Sequence, residues 1–236
     1  MIKGVIFDLD GTLLDTLEDL SAAGNAVLQR HGLAAYPKEA YRLMVGNGIP
    51  RLVRRMLTGT DARSGEKREQ EAAAMLPAGL EEAALSDFMA YYAAHKQDHT
   101  RPYPGIKELL MRLQAEGVRL AVVSNKADSA VKELAQQYFG AAFTSAVGLK
   151  EGGRAKPDPA STLEAVKRLA LPKEQILYVG DSDVDMQTAY NAGLAGCGVL
   201  WGFRTEEELK KAGARYLAPD AQALYEIISS TGQSAF

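Results

Sequence analysis

Two aspartates two positions apart, Asp8 and Asp10, follow the apolar run Val5-Ile6-Phe7 and precede Gly11 and Thr12. Positions two apart point to the same side of an extended chain, so these like charges repel unless a cation lies beside them. Three further polar clusters stand after apolar stretches or before helical ones: Ser124-Asn125-Lys126, Lys156-Pro157-Asp158-Pro159 and Gly180-Asp181-Ser182-Asp183-Val184-Asp185. Carboxylates with a lysine and hydroxyls, and no histidine or cysteine among them, suit a hard divalent cation, Mg2+, and an anionic substrate. An aspartate in such a setting is able to attack phosphorus and form an aspartyl-phosphate. A calcium loop does not fit, because glycine comes fourth from Asp8 and not sixth, and no glutamate stands twelfth.

For these clusters to meet, the elements between them must bring them to one edge. Val5-Ile6-Phe7 reads as a buried strand, and Leu17, Leu20, Ala23, Val27 and Leu28 recur at helical spacing up to Gly32. Thr16, with Asp19 three residues on, is a weak capping box for that helix. More helix is expected over Lys38–Val45, Ile49–Leu57, Gly65–Met75 and Leu80–Lys96, and no strand between about Thr16 and Asp98. Beyond Arg101–Gly105 the pattern alternates. Strands are expected at Val118–Val123, Phe143–Val147, Ile176–Val179, Gly198–Trp201 and Tyr216–Leu217. Helices are expected at Ile106–Glu116, Asp128–Tyr138, Pro159–Leu169, Val184–Ala192, Glu206–Lys211 and Ala221–Ile228. This alternation predicts an α/β fold, a Rossmann-like three-layer core with a mainly parallel sheet, and an inserted all-helical domain. The expected division is residues 1–15 and 99–236 for the α/β core and 16–98 for the insertion. In such a sheet, ligands bind at the carboxyl ends of the strands, where the polar clusters fall.

The 236 residues, 47% hydrophobic and 24% charged with a net charge of −3, suit a globular protein with a real core. No basic run suggests a nucleic-acid or membrane partner. Cys197 is the only cysteine, and the amino-terminal stretch reads as a structural strand rather than a signal peptide, so a cytoplasmic protein is expected.

The stretches "DLDGTLLDT", "SNK", "KPDP" and "GDSDVD" resemble, in order and spacing, the four motifs of the haloacid dehalogenase superfamily. "VGNG" (Val45–Gly48) and "GDSDVDMQTAYNAG" are similar to its phosphoglycolate phosphatase group. The resemblance implies a Mg2+-dependent phosphatase of a small phosphorylated metabolite, 2-phosphoglycolate being the leading candidate. Asp8 would be nucleophile and metal ligand. Asp10 would be general acid and then base, with its backbone carbonyl on the metal. Ser124 and the backbone of Asn125 would hold the phosphoryl group, Gly11 and Thr12 would line it, and Lys156 would neutralise it. Asp181 would complete the metal site, with Asp185 behind it orienting a metal-bound water or Lys156. In the helical insertion, Asn47, Arg51 and Arg54 would face the substrate. The same motifs leave open a phosphosugar mutase or a pyrophosphatase. More remotely, they leave open a receiver-like or non-catalytic phospho-binding protein.

Some residues carry a plainer reading. Arg51, Arg54 and Arg55 share one helix face and would, without a substrate, form a solvated basic surface. Ser182 with Asp185 reads equally as a capping box, and Asp158 as an N-cap before Pro159. His95 and His99, four apart, lack further ligands spaced for a metal.

Overall fold

A computed structural model describes residues 1–230. In chain order the elements are β1 (Gly4–Phe7), β2 (Leu14–Asp15), α1 (Leu17–Arg30), α2 (Lys38–Met44), α3 (Ile49–Thr58), α4 (Glu66–Ala73) and α5 (Leu80–His95). Then come β3 (Arg101–Pro102), α6 (Ile106–Ala115), β4 (Arg119–Ala127), α7 (Asp128–Phe139), β5 (Ser145–Leu149) and α8 (Ala160–Leu169). Last come β6 (Ile176–Gly180), α9 (Asp183–Ala192), β7 (Ala195–Val199), α10 (Glu206–Lys211), β8 (Tyr216–Ala218) and α11 (Ala221–Ser230). The chain divides into two compact units, one of Met1–Asp15 with the chain from Pro102 onward, the other Thr16–Arg101.

The first unit is built on a six-stranded sheet in the order β5-β4-β1-β6-β7-β8, with parallel neighbours throughout. Strand side chains alternate between its faces. Val5, Phe7, Leu120, Val122, Leu177 and Val179 join one apolar cluster with residues of α6, α7 and α11. Ile6, Ala121, Val123, Ile176 and Tyr178 join another with residues of α8 and α9. Burial on both faces explains the unbroken apolar strands. β1 lies between β4 and β6, at the point where the strand order reverses, so its carboxyl end opens into the crevice such sheets use for ligands.

Three expected strands have a boundary displaced by two residues or more from the sequence reading. β4 runs on through Ser124, Asn125 and Lys126, which therefore belong to the strand and not to a turn after it. β5 ends two residues later than expected. β7 spans Ala195–Val199, earlier than the expected Gly198–Trp201. Its small residues hide the strand because helices press on it: a Cβ at Gly196 would sit 3.1 Å from Met186 Sδ, and one at Gly198 3.0 Å from Leu209.

The second unit is the helical segment α1–α5. It extends to Arg101, past the expected boundary at 98, and Asp19 gives the reason. Its buried carboxylate accepts bonds from the backbone N–H groups of His99 (2.9 Å) and Thr100 (2.8 Å) and from the Thr100 hydroxyl (2.7 Å). Asp19 is thus not the partner of a capping box, and Thr16, at the N-cap of α1, makes no side-chain cap bond. The arginine face is not a uniformly solvated one: Arg51 and Arg54 are partly exposed and ion-paired, and Arg55 is buried. Glu69, 1% exposed, accepts from Arg51 Nε (2.6 Å) and from Arg55 Nε (3.0 Å), while Arg55 also donates to the Met44 carbonyl. Arg55 is itself only 2% exposed. Removing one partner of a buried ion pair leaves the other charge desolvated and uncompensated. Glu69→Ala is therefore expected to destabilise the helical unit by about 3–5 kcal/mol in chemical denaturation, and a loss under about 1 kcal/mol, the value of exposed pairs, would show that solvent reaches Arg55.

Candidate active site

The carboxyl ends of β1, β4 and β6 carry three of the four clusters singled out by spacing, and the fourth, Lys156–Pro159, lies between β5 and α8. Asp8 continues β1, donating its N–H to the Val179 carbonyl (2.8 Å). The chain then turns tightly, Leu13 and Leu14 donating to the Leu9 carbonyl and Gly11 to Leu14. Gly11 adopts φ +87°, and a Cβ there would stand 2.4 Å from Asp181 Oδ2, so both the turn and the close approach require glycine.

Lys156 is the centre of the cluster. Its ammonium, with the side chain 3% exposed, lies 2.8 Å from Asp8 Oδ1 and 2.7 Å from Asp185 Oδ1. Burial works against its charge, but Asp185 and Asp8 outweigh burial and hold its pKa well above the usual lysine value. Its backbone is fixed by Asn125, whose side chain accepts from Lys156 N–H (2.7 Å) and donates to Lys156 C=O (3.3 Å). The Asn125 side chain therefore anchors the lysine loop. The Ser124 hydroxyl is buried beside it and accepts from Lys126 N–H (3.3 Å).

Asp185 meets both readings given to it. Ser182 and Asp185 form a complete capping box on α9, and Asp185 Oδ2 also accepts from Asp181 N–H (3.2 Å). Its other oxygen takes Lys156 and the Tyr178 hydroxyl (3.4 Å). Asp181 accepts from the Thr12 hydroxyl (3.1 Å) and from Phe203 N–H (2.7 Å). Burial, then the charge of Asp185, push its pKa up to about 7, against the pull of Phe203 N–H, Arg204 and Thr12. Burial, followed by Asp185, likewise raises Asp8, with Lys156 opposing.

Asp8, Asp181 and Asp185 each offer an oxygen within 4.8 Å of the others. Three buried carboxylates with one ammonium beside two of them are short of positive charge, and this adds to burial, the larger cause, in raising Asp8 and Asp181. The all-oxygen donor set fits a hard divalent cation. The Asp10 side chain stands outside this trio and pairs with Lys126 instead.

The remaining expected residues fall as follows. Asn47 lies between α2 and α3, where Gly46 and Gly48 take positive φ. Arg51 is held by Glu69 and Arg54 by Glu81 (2.9 Å), both within the helical unit. Asp158 accepts from Ala160 N–H (2.9 Å), and Pro159 rather than Asp158 holds the N-cap position of α8. His95 and His99 are occupied separately, by Asp98 (2.8 Å) and Asp19 (3.0 Å).

Two contributions escape sequence reasoning, one without any signal and one without a visible partner. The loop after β7 clamps the site: Trp201 Nε1 donates to the Thr12 carbonyl (3.0 Å), and a Cβ at Gly202 would lie 2.2 Å from Asp181 Cβ. Backbone donors such as Phe203 N–H leave no mark in residue type. Lys126 was visible in "SNK", yet its partner lies 116 residues away.

The profile of the haloacid dehalogenase-like hydrolases matches residues 5–199. The phosphoglycolate phosphatase of Pseudomonas savastanoi pv. phaseolicola is 35% identical over 223 residues, covering 94% of this chain and 78% of that protein. The phosphoglycolate phosphatase of Vibrio parahaemolyticus is 31% identical, covering 97% and 96%. A crystal structure from Lactobacillus delbrueckii subsp. bulgaricus, assigned there as a phosphoglycolate phosphatase, superposes with a TM-score of 0.85 at 38% identity, covering 96% and 98%. Among the described residues no helix is long and apolar enough to cross a membrane. The sheet order, the aspartates at the end of its central strand and these matches along nearly the whole chain agree: this chain belongs to the haloacid dehalogenase-like hydrolase family.

Proposed function

We propose that the protein is a Mg2+-dependent phosphatase hydrolysing a small phosphate monoester, with 2-phosphoglycolate the leading candidate, through an aspartyl-phosphate on Asp8. The observation that carries this reading is the buried Asp8 carboxylate at the end of β1 with Lys156 Nζ 2.8 Å away, flanked by two more buried aspartates. The substrate is suggested by the relatives named phosphoglycolate phosphatase.

Asp8 attacks phosphorus as the bond to the leaving alcohol breaks, and Asp10 gives that oxygen its proton. Asp10 then takes a proton from the water that attacks the phosphoenzyme, the Asp8–phosphorus bond breaks, and phosphate leaves. The Ser124 hydroxyl and the Asn125 backbone hold the phosphoryl oxygens, Lys156 balances their charge, and Asp185 holds Lys156 in place. Such chemistry is mostly positioning and charge neutralisation. Asp8, the Asp10 carbonyl and Asp181 would hold Mg2+, which would supply Lewis-acid stabilisation of charge on the phosphoryl oxygens.

Phosphate release from 2-phosphoglycolate, sugar phosphates, pyrophosphate and a nucleotide, with Mg2+ and with EDTA, tests this reading. A Mg2+-dependent preference for 2-phosphoglycolate of a hundredfold in kcat/KM, about 2.7 kcal/mol, is expected. Equal release across the panel would remove that substrate, and no release would remove the phosphatase. Asp8→Asn is expected to lose turnover entirely, and an active variant would end the nucleophile assignment.

The pH dependence has a defined sign. With a folded value of about 7, Asp181 carries a proton below that pH, and a protonated carboxyl does not ligate. Mg2+ affinity is expected to rise with pH through about 7, and by at least about tenfold per unit below it because the raised Asp8 must lose its proton as well, as read by calorimetry. Without metal, the folded state holds this proton where the unfolded chain has lost it. Its contribution to stability therefore falls as pH rises from the ordinary carboxyl range to about 7. Mg2+ should raise the Tm of the wild type at pH 8 and leave that of Asp181→Asn nearly unchanged.

A further inference from the structure

Lys126 is buried, its side chain 4% exposed, and its ammonium stands 3.0 Å from both carboxylate oxygens of Asp10. Its placement follows from the sheet. Phe7 faces Val122 in the β1–β4 ladder, so the residues beyond Phe7 leave the sheet beside Ser124–Lys126. Asp10 lies where the chain bends after β1, and Lys126 lies near the end of β4, where the ladder with β5 shifts register between Val123 and Ala127. The two lysines then serve different carboxylates: Lys156 meets Asp8 and Asp185, and Lys126 meets Asp10.

From this geometry we infer that Lys126 is a positioning residue for proton transfer, holding the Asp10 carboxyl group in the plane and place from which it serves the leaving oxygen. The inference rests on the reading of Asp10 as general acid. A single ammonium reaching both oxygens fixes two things at once. It stops rotation of the group about its Cβ–Cγ bond, and it keeps the side chain, 16% exposed, from swinging toward solvent. The ammonium keeps its own protons throughout. In the first half-reaction the Asp8 oxygen–phosphorus bond forms, the phosphorus–alkoxide bond breaks, and the Asp10 proton goes to the alkoxide. In the second, a water oxygen–phosphorus bond forms, the Asp8–phosphorus bond breaks, and a water proton returns to Asp10. Lys126 neither gains nor loses a proton in either half, so its effect is on geometry. General acid catalysis of this kind is worth about 10²–10⁴-fold, and most of that depends on the proton being within reach of its acceptor.

Leaving-group dependence isolates the role. An alkoxide needs its proton as the bond breaks, whereas p-nitrophenolate leaves without one. The test measures kcat/KM, which reports steps up to phosphoenzyme formation, for 2-phosphoglycolate and p-nitrophenyl phosphate in the wild type, Asp10→Asn, Lys126→Met and Lys126→Arg. Thermal melting confirms folding of each. Lys126→Met is expected to lose at least tenfold on 2-phosphoglycolate and less than threefold on p-nitrophenyl phosphate. Lys126→Arg, which keeps a cationic donor, is expected to recover most of the selective loss. Equal losses on both substrates, or no loss on either, with Asp10→Asn still selective, would overturn the role of Lys126 and leave that of Asp10 standing. Equal losses in Asp10→Asn itself would overturn the general-acid reading, and the inference with it.

Discussion

One ammonium among buried carboxylates governs the organisation of this site. Lys156 reaches Asp8 and Asp185 at 2.8 and 2.7 Å, and Asp181 completes a group with more negative charge than a single lysine balances. Burying such a group is costly unless every charge is paired and every lone pair used. The surrounding structure answers that need. Asn125 fixes the lysine backbone, the first turn of α9 saturates one oxygen of Asp185, and Thr12 with Phe203 N–H engages Asp181. Glycine at positions 11, 180 and 202 leaves room, since a Cβ at each would lie within 2.4 Å of an aspartate side chain.

What was legible in the sequence was what the backbone period and chain order dictate. Asp8 and Asp181 follow apolar strands, Lys156 precedes a helix and Ser124 ends the apolar run of β4, and in a parallel sheet those places share one edge. What was hidden depends on contacts between distant segments. Lys126 meets Asp10 because two strands are neighbours in space, and Glu69 meets Arg55 because α3 and α4 pack together. β7 was misplaced because its glycines and alanine answer to neighbouring helices rather than to strand propensity.

The helical unit shows how a charge pattern misleads when burial is unknown. Arg51, Arg54 and Arg55 at helical spacing suggest a face for solvent or for an anion. Instead two of them converge on one buried glutamate, and the third meets Glu81. A substrate anion drawn to Arg51 or Arg54 would have to share the guanidinium with a carboxylate already at 2.6 or 2.9 Å, so neither arginine is an unopposed charge.

Asp185 shows why structural and chemical readings of a residue need not exclude each other. Its Oδ2 caps α9, taking the Ser182 hydroxyl at 2.6 Å with the backbone N–H groups of Asp181 and Ser182, while Oδ1 holds Lys156. The helix terminus thereby fixes a carboxylate, the carboxylate fixes an ammonium, and the ammonium stands against Asp8. Each link is short and buried, so the start of α9 is tied to Asp8 through two consecutive ion-pair contacts of Lys156. The cap favours an anion on its own account, because unsatisfied N–H groups at a helix start carry partial positive charge. The same carboxylate is thus stabilised by the fold while it holds Lys156, and a site built this way couples rigidity of the core to placement of the Asp8 carboxylate.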